Sequence, residues 1–138
     1  MLRILVLLII GISTLSSAQV EGWVTDFKRG VELAKAQGKE VLLYFYGEHC
    51  PYCLQMEEFV LGDPDVDRYI RERFIVVSLN INSSEELNRK FGVYGTPHFV
   101  IYDPNYDRIV LSIFGSRERE DFLNLLTRAC KKTSLRRC

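Results

Sequence analysis

The amino-acid sequence predicts an α/β domain in which helices flank a β-sheet, and three patterns lead to this fold class. The nearly continuous apolar runs at residues 41–46 and 74–81 are typical of strands that are covered on both faces. Residues 98–102 and 108–114 flank a turn-forming segment at 103–105, which predicts a hairpin. Apolar residues at helical spacing lie between and around these strands.

Capping residues delimit the predicted helices in the first half of the chain. Within residues 21–38 we expect a helix that Asp26 caps and Gly38 ends. A second helix runs from about residue 50 to residue 61. Asp63 then caps a third, short helix at 64–73, in which Pro64 occupies the first turn.

Two further helices are predicted around the hairpin. Ser83 and Glu86 have the spacing of a capping box for a short helix at 84–91, which Gly92 ends. Residues 117–130 form the last predicted helix. The predicted order is therefore helix, strand, helix, helix, strand, helix, strand, strand and helix.

Composition limits the function classes. The chain has 138 residues, of which 47% are hydrophobic and 26% are charged, and its formal net charge is zero. This length supports one domain with one core. A neutral net charge argues against a protein that binds nucleic acid through electrostatic attraction.

Residues 1–18 are predicted to be an export signal peptide. Arg3 precedes an apolar stretch at 4–12, and Ser16 and Ala18 stand at the positions expected before a cleavage site. Residues 19–130 would then form the domain, and residues 131–138 a basic tail. We expect a periplasmic or secreted protein, with a leader retained as an anchor as the alternative.

The chemistry is predicted at Cys50-Pro51-Tyr52-Cys53, which follows the first clear strand and opens a helix. Unsatisfied N–H groups and the dipole at a helix start favour an anion, so the Cys50 thiol is biased towards thiolate. The spacing lets Cys53 reach Cys50 within one helical turn. A permanent structural disulfide and half of a zinc site are the alternatives.

A second pair of cysteines, Cys130 and Cys138, lies at the end of the last helix and at the chain terminus. Outside the cytoplasm we expect a structural disulfide here, contributing about 2–3 kcal/mol for so short a loop. A second redox pair, or an intermolecular link through Cys138, is the alternative.

Together with this element order, two motifs resemble the thioredoxin superfamily over about residues 22–130. They are Cys50-Pro51-Tyr52-Cys53 and the segment 91–97, FGVYGTP. The resemblance implies the thioredoxin fold, a central mixed β-sheet flanked by helices. The extra short helix after the active-site helix is most similar to exported thioredoxin-like proteins of the SoxW type.

The resemblance also implies residue roles. Cys50 would be the nucleophile and Cys53 the resolving cysteine, while Pro51 and Tyr52 would tune the redox potential. The Thr96–Pro97 bond would be cis and would present the Thr96 backbone beside Cys50 to an extended substrate segment.

The sequence departs from thioredoxins at two positions. Tyr44 stands where they place a buried Asp that assists the resolving cysteine, so Glu48, Glu57 or water would have to substitute. His49 replaces the tryptophan before the motif, and a protonated His49 would stabilise the Cys50 thiolate. A solvated His49 without a role is the alternative.

The only other histidine, His98, follows Pro97. Its side chain either points into the sheet or takes part in the site.

We therefore expect an extracytoplasmic thiol–disulfide oxidoreductase that acts on protein thiols and disulfides. A reductase recharged by a membrane electron donor is our first hypothesis, and an oxidase or isomerase the second. A metal carrier using Cys50, Cys53 and a histidine, and a binding module with structural cysteines, are alternatives from other classes. We expect a monomer with no cofactor beyond its redox-active disulfide, no bound metal and no nucleic-acid partner.

Overall fold

A computed structural model describes residues 22–133 and residue 138 of the chain. The order of helices and strands predicted from the sequence is confirmed. The elements are α1 (Phe27–Gln37), β1 (Glu40–Tyr46), α2 (Pro51–Met56), α3 (Pro64–Arg73), β2 (Phe74–Asn80), α4 (Glu85–Phe91), β3 (His98–Asp103), β4 (Arg108–Phe114) and α5 (Arg119–Lys131).

The four strands form one mixed sheet in the order β2-β1-β3-β4. Strand β1 runs parallel to β2 and antiparallel to β3, and β3 pairs with β4 as the predicted hairpin. Val24 adds a single parallel bridge to Val77 on the outer edge of β2. Strand β1 thus lies between two neighbours, and this is the thioredoxin fold.

Side chains of β1 alternate between two hydrophobic clusters, because successive residues of a strand point to opposite faces. Leu42 and Tyr44 pack with apolar residues of α2, α3 and α5. Val41, Leu43 and Phe45 pack with apolar residues of α1 and α4 on the other face. Both faces of the central strand are therefore covered, as its apolar run predicts.

The predicted caps are largely confirmed. The carboxylate of Asp26 accepts the Lys28 N–H, and that of Asp63 accepts the N–H groups of Asp65 and Val66.

The predicted capping box is wrong. Ser84 is the N-cap of α4 and makes no side-chain capping bond, whereas Ser83 belongs to a 3₁₀ turn, Ile81–Ser83. The Asn80 side chain accepts the Asn82 N–H, which starts that turn early. Helix α4 therefore begins one residue later than the motif implies.

Two further helices, the one that begins at the cysteines and the last one, have bounds that differ from the predicted ones. The helix predicted at 50–61 is α-helical only to Met56 and continues as a π-helical turn, Glu57–Leu61. The last helix begins at Arg119 rather than residue 117, and the Arg117 N–H is directed to the sulfur of Met56.

None of the helices among residues 22–133 is long and apolar enough to cross a membrane. The predicted leader at 1–18 and half of the basic tail, residues 134–137, lie outside the described residues. The structure pairs Cys130, which is buried at the end of α5, with the exposed Cys138.

Two buried carboxyl groups lie at the end of the sheet where β1 begins and β3 ends. Glu40 and Asp103 are each only 2% exposed, and one Glu40 oxygen has no hydrogen-bond partner among the described residues. Burial, followed by the charge of Asp103, raises the pKa of Glu40 to about 7. Between about pH 4.5 and pH 7 the folded protein therefore holds a proton on Glu40 that the unfolded chain has already released.

Replacing Glu40 by Gln should make the protein more stable at neutral and alkaline pH. Because the folded state binds this proton more tightly than the unfolded state, protonation of Glu40 stabilises the fold. That contribution to the free energy of unfolding is complete below about pH 4.5 and is lost as pH rises through about 7. Chemical denaturation should show that the advantage of Glu40→Gln over the wild type grows across this window, to at most about 3 kcal/mol.

Exposed Glu32 of α1 provides the matched control, and Glu32→Gln should show no comparable gain with pH. An equal response of the two variants would contradict the assignment of the effect to burial of Glu40.

Candidate functional site

The active-site cysteines lie where β1 leaves the sheet. Residues 47–49 turn the chain, and Cys50 is the N-cap of α2, with Pro51 in the first turn. The Cys50 sulfur accepts the N–H of Cys53 at 3.2 Å. The two cysteines form a disulfide, with 5.2 Å between their Cα atoms, so the structure shows the oxidised state of the pair.

The two cysteines differ in their access to solvent. Cys53 is 2% exposed, whereas Cys50 is half-buried at the rim of the helix. A thiol or disulfide of another protein can therefore approach Cys50 but not Cys53.

The second motif lies against the first across the sheet. The Thr96–Pro97 peptide bond is cis, and the Thr96 hydroxyl donates a hydrogen bond to the Cys50 sulfur at 3.4 Å. Close approach here requires glycine at position 47, because a Cβ atom on Gly47 would lie 2.9 Å from the Thr96 hydroxyl oxygen. The structure thus brings together Cys50, Cys53, Pro51, Thr96 and Pro97.

The two histidines occupy different environments. The His49 side chain is exposed beside Cys50, and its backbone has a φ of 55°, which is uncommon for a residue other than glycine. Buried His98 lies within the sheet, with its Nε2 atom 2.7 Å from the Ser112 hydroxyl. Burial lowers the pKa of His98, so its imidazole is neutral.

The position of His98 bears on the metal-carrier alternative. Its ring lies against Phe45 and Phe114 rather than at the sulfurs. Among the residues that the structure describes, no three His, Cys, Asp or Glu side chains form a group that could hold a metal ion. This arrangement gives no support to a site made of the two cysteines and His98.

Tyr44, which replaces the acid of thioredoxins, lies on the α2 face of β1. Its ring stacks on Phe99 at 5.0 Å, and Trp23 meets it edge-on at 5.9 Å. Burial, followed by the charge of Glu57, raises the pKa of the Tyr44 hydroxyl. The hydroxyl has no hydrogen-bond partner within the described chain. Because its pKa is raised, it stays protonated near neutral pH and supplies no phenolate to accept a proton.

The structure distinguishes the two candidate substitutes for the missing acid. Glu48 is exposed and accepts a hydrogen bond from Asn80 at 3.4 Å. Glu57 lies one helical turn after Cys53, on the same side of the helix, and is half-buried. Burial raises the pKa of the Glu57 carboxyl, which makes Glu57 the better candidate of the two.

Two aromatic side chains that the sequence analysis did not assign, Tyr94 and Phe114, lie exposed near the cis-proline. Tyr94 is 90% exposed and Phe114 61%, and the Phe114 ring lies so close to Gly95 that a Cβ there would be 2.9 Å from it. Tyr52, between the cysteines, is 62% exposed. For Tyr94, its position directly before Gly95-Thr96-Pro97 is the sequence signal that could have found it.

The fold and the disulfide at the start of α2 define a thiol–disulfide oxidoreductase. Residues 27–129 match a family profile described as Thioredoxin-like domain. The chain belongs to this thioredoxin-like family, which agrees with the resemblance seen in its two motifs.

Solved structures and curated proteins agree with this assignment. A thioredoxin from Thermus thermophilus is 42% identical, with 81% of this chain and 88% of that chain covered and a TM-score of 0.74. The C-terminal domain of DsbD from Neisseria meningitidis in its oxidised form shares the fold, at 21% identity and a TM-score of 0.66, with 78% and 98% covered.

A longer relative is the thiol:disulfide interchange protein DsbD of Yersinia pestis. It is 30% identical over 98 residues, which is 68% of this chain but only 16% of DsbD. The chain therefore matches a small part of the curated relatives.

Proposed function

We propose that this protein is an extracytoplasmic reductase of disulfides in other proteins, with Cys50 as the nucleophile and Cys53 as the resolving cysteine. The observation that carries the cysteine roles, on which the proposal depends, is the difference in access between the two sulfurs, Cys50 at the helix rim and Cys53 buried. Thiolate at Cys50 is favoured by its position as the N-cap of α2 and by the hydroxyl of Thr96.

The exchange transfers two electrons from the cysteine pair to the substrate. The Cys50 thiolate attacks a substrate disulfide, forms a mixed disulfide, and releases one substrate sulfur as a thiolate that takes up a proton. Cys53 then loses its proton and attacks Cys50, which forms the Cys50–Cys53 bond and releases the second substrate thiol. The protein ends in the oxidised state that the structure shows.

Glu57 would accept the proton of Cys53 in the second step. It follows Cys53 by one helical turn, and its raised pKa reflects its burial under the same surface. Tyr44 fills the space of the usual acid but keeps its own proton. His49, exposed at the rim, would assist Cys50 when it is protonated.

The substrate would bind as an extended segment beside Thr96, with apolar side chains on the exposed aromatic rings of Tyr52, Tyr94 and Phe114. Tyr52 lies between the two cysteines, Tyr94 lies two residues before Thr96, and the Phe114 ring lies against Gly95. Pro51 and Tyr52 would set the redox potential from within the motif.

Recharging requires a second dithiol, because each turnover leaves the pair oxidised. We propose a membrane electron donor for this step. The name of the DsbD relatives, thiol:disulfide interchange protein, supports exchange between protein dithiols as the recharging chemistry. Export is supported by the signal-like pattern of residues 1–18, and the extra helix α3 supports the likeness to SoxW-type proteins.

The opposite direction of exchange is favoured by the two features that stabilise the Cys50 thiolate. The N-cap position of Cys50 and the hydrogen bond from Thr96 to its sulfur would stabilise the reduced pair, which makes the disulfide a stronger oxidant. An oxidase or isomerase is therefore our second candidate function.

Trapping of mixed disulfides tests the roles of the cysteines. With a disulfide-bonded protein such as insulin as substrate, Cys53→Ala should accumulate a mixed disulfide through Cys50 that nonreducing electrophoresis resolves. Cys50→Ala should accumulate none, because Cys53 is buried. As a control, replacing both Cys130 and Cys138 by Ala in the Cys53→Ala protein should leave the trapped species unchanged. Equal trapping by Cys50→Ala would reverse the assignment.

Glu57→Gln should slow the resolving step about a hundredfold near neutral pH, since a positioned base typically contributes that much or more. Because burial raises the pKa of Glu57, the wild-type rate should rise with pH as this carboxyl ionises, and the rise should be missing in the variant. The measurement is the release of thiol from a preformed Cys50 mixed disulfide as a function of pH.

Glu58, the exposed neighbour of Glu57, is the matched control. If Glu58→Gln gave the same profile as Glu57→Gln, the role of Glu57 would be refuted.

A further inference from the structure

The two halves of the active site, which are about 45 residues apart in sequence, approach each other at Gly47 and Thr96 and are joined by two further features. One is the hydrogen bond from Thr96 to the Cys50 sulfur. The other is the loop that joins β4 to α5, residues 115–117, which contacts both halves. This loop has no part in the roles proposed above.

One end of the loop holds the cis-proline. The Gly115 N–H donates to the carbonyl oxygen of Pro97 at 2.8 Å. The chain reaches this position through a left-handed conformation at Gly115, with a φ of 88°, which a residue with a side chain rarely adopts. The loop is thus attached directly to the residue that follows Thr96.

The other end of the loop holds the active-site helix. The Arg117 N–H donates to the sulfur of Met56 at 3.2 Å. Met56 is 1% exposed and lies one helical turn after Cys53. A thioether is a weak acceptor, but this N–H is partly buried, and losing its partner carries a desolvation cost.

The loop between these two attachments is internally braced. The Arg117 guanidinium donates to the carbonyl oxygens of Phe114 and Ser116, at 3.1 and 2.9 Å. These bonds tie Arg117 to the residues on either side of Gly115, so the two attachments belong to one bonded segment. Together the contacts form a closed ring. Helix α2 connects Cys50 to Met56, the loop connects Met56 to Pro97, and Thr96 returns to the Cys50 sulfur.

We propose that Met56 is a positioning residue, whose thioether holds the 115–117 loop and thereby keeps Thr96 within hydrogen-bond reach of the Cys50 sulfur. This inference rests on the proposed function, because it concerns the reactivity of Cys50. It gives the buried methionine a role that packing alone does not require, since leucine fills nearly the same volume.

The test follows the pH dependence of Cys50 alkylation in the reduced full-length chain, with the modified residue identified by mass spectrometry. Met56→Leu keeps the volume and removes the acceptor. We expect the midpoint of the alkylation profile to move to higher pH, with the thiolate fraction at a fixed lower pH falling about threefold. Thr96→Val should move it further, by about tenfold, because it removes the hydroxyl itself.

The double variant decides whether Met56 acts through Thr96. If it does, Met56→Leu should have no further effect in the Thr96→Val protein. Leu126→Met, a swap of similar size in the same hydrophobic cluster, is the control and should leave the profile unchanged. Additive effects of the two substitutions, or a wild-type profile for Met56→Leu, would overturn the proposal.

Alkylation needs no disulfide exchange, so the result is separable from the proposed function. Exchange of the wild-type pair with glutathione, measured in parallel, reports on that function. If exchange is absent while the alkylation profiles behave as expected, the proposed function fails and the positioning role stands.

Discussion

The antiparallel pairing of β3 with β1 is the interaction on which the site depends. Its register places Phe45 opposite His98, so Pro97 and Thr96 emerge beside the turn that leads from β1 to Cys50. The nucleophile and the loop opposite it are thus positioned by backbone hydrogen bonds in the centre of the sheet. Apolar residues on both faces of β1 stabilise this pairing and keep the site rigid.

The chemistry beneath the cysteines is arranged differently from the buried acid that the thioredoxin resemblance implies. An uncharged Tyr44 packs among aromatic rings, and Glu57, whose pKa burial raises, comes from the helix instead of the strand. In our proposal Glu57, the first residue of the π-helical turn and one helical turn after Cys53, takes over the role of that acid.

Much of the fold followed from local signals. The apolar runs, Asp26, Asp63 and the Cys-Pro-Tyr-Cys motif are short-range patterns, and the structure has them as helix caps, strands and a helix start. The capping box at Ser83 was wrong because the Asn80 side chain competes for the same turn. Glu57 could be named as a candidate acid, but its burial depends on tertiary packing.

The surface and the loop around the site could not be predicted in the same way. The contact of Phe114 with Gly95 and the bond from Arg117 to Met56 join residues 19 and 61 positions apart, and no local pattern marks them. His98 was left with two possible orientations, which only the pairing of β3 with β4 decided. What the sequence lacks is therefore the set of contacts between elements that gives the reactive sulfur its environment.

The reducing character of the Cys50–Cys53 couple is tested by its equilibrium reduction potential against glutathione. We expect a value near about −270 mV, as for a thioredoxin-like reductant. A value near about −120 mV would instead identify an oxidant, and a pair that does not exchange with glutathione would rule out disulfide exchange as its function.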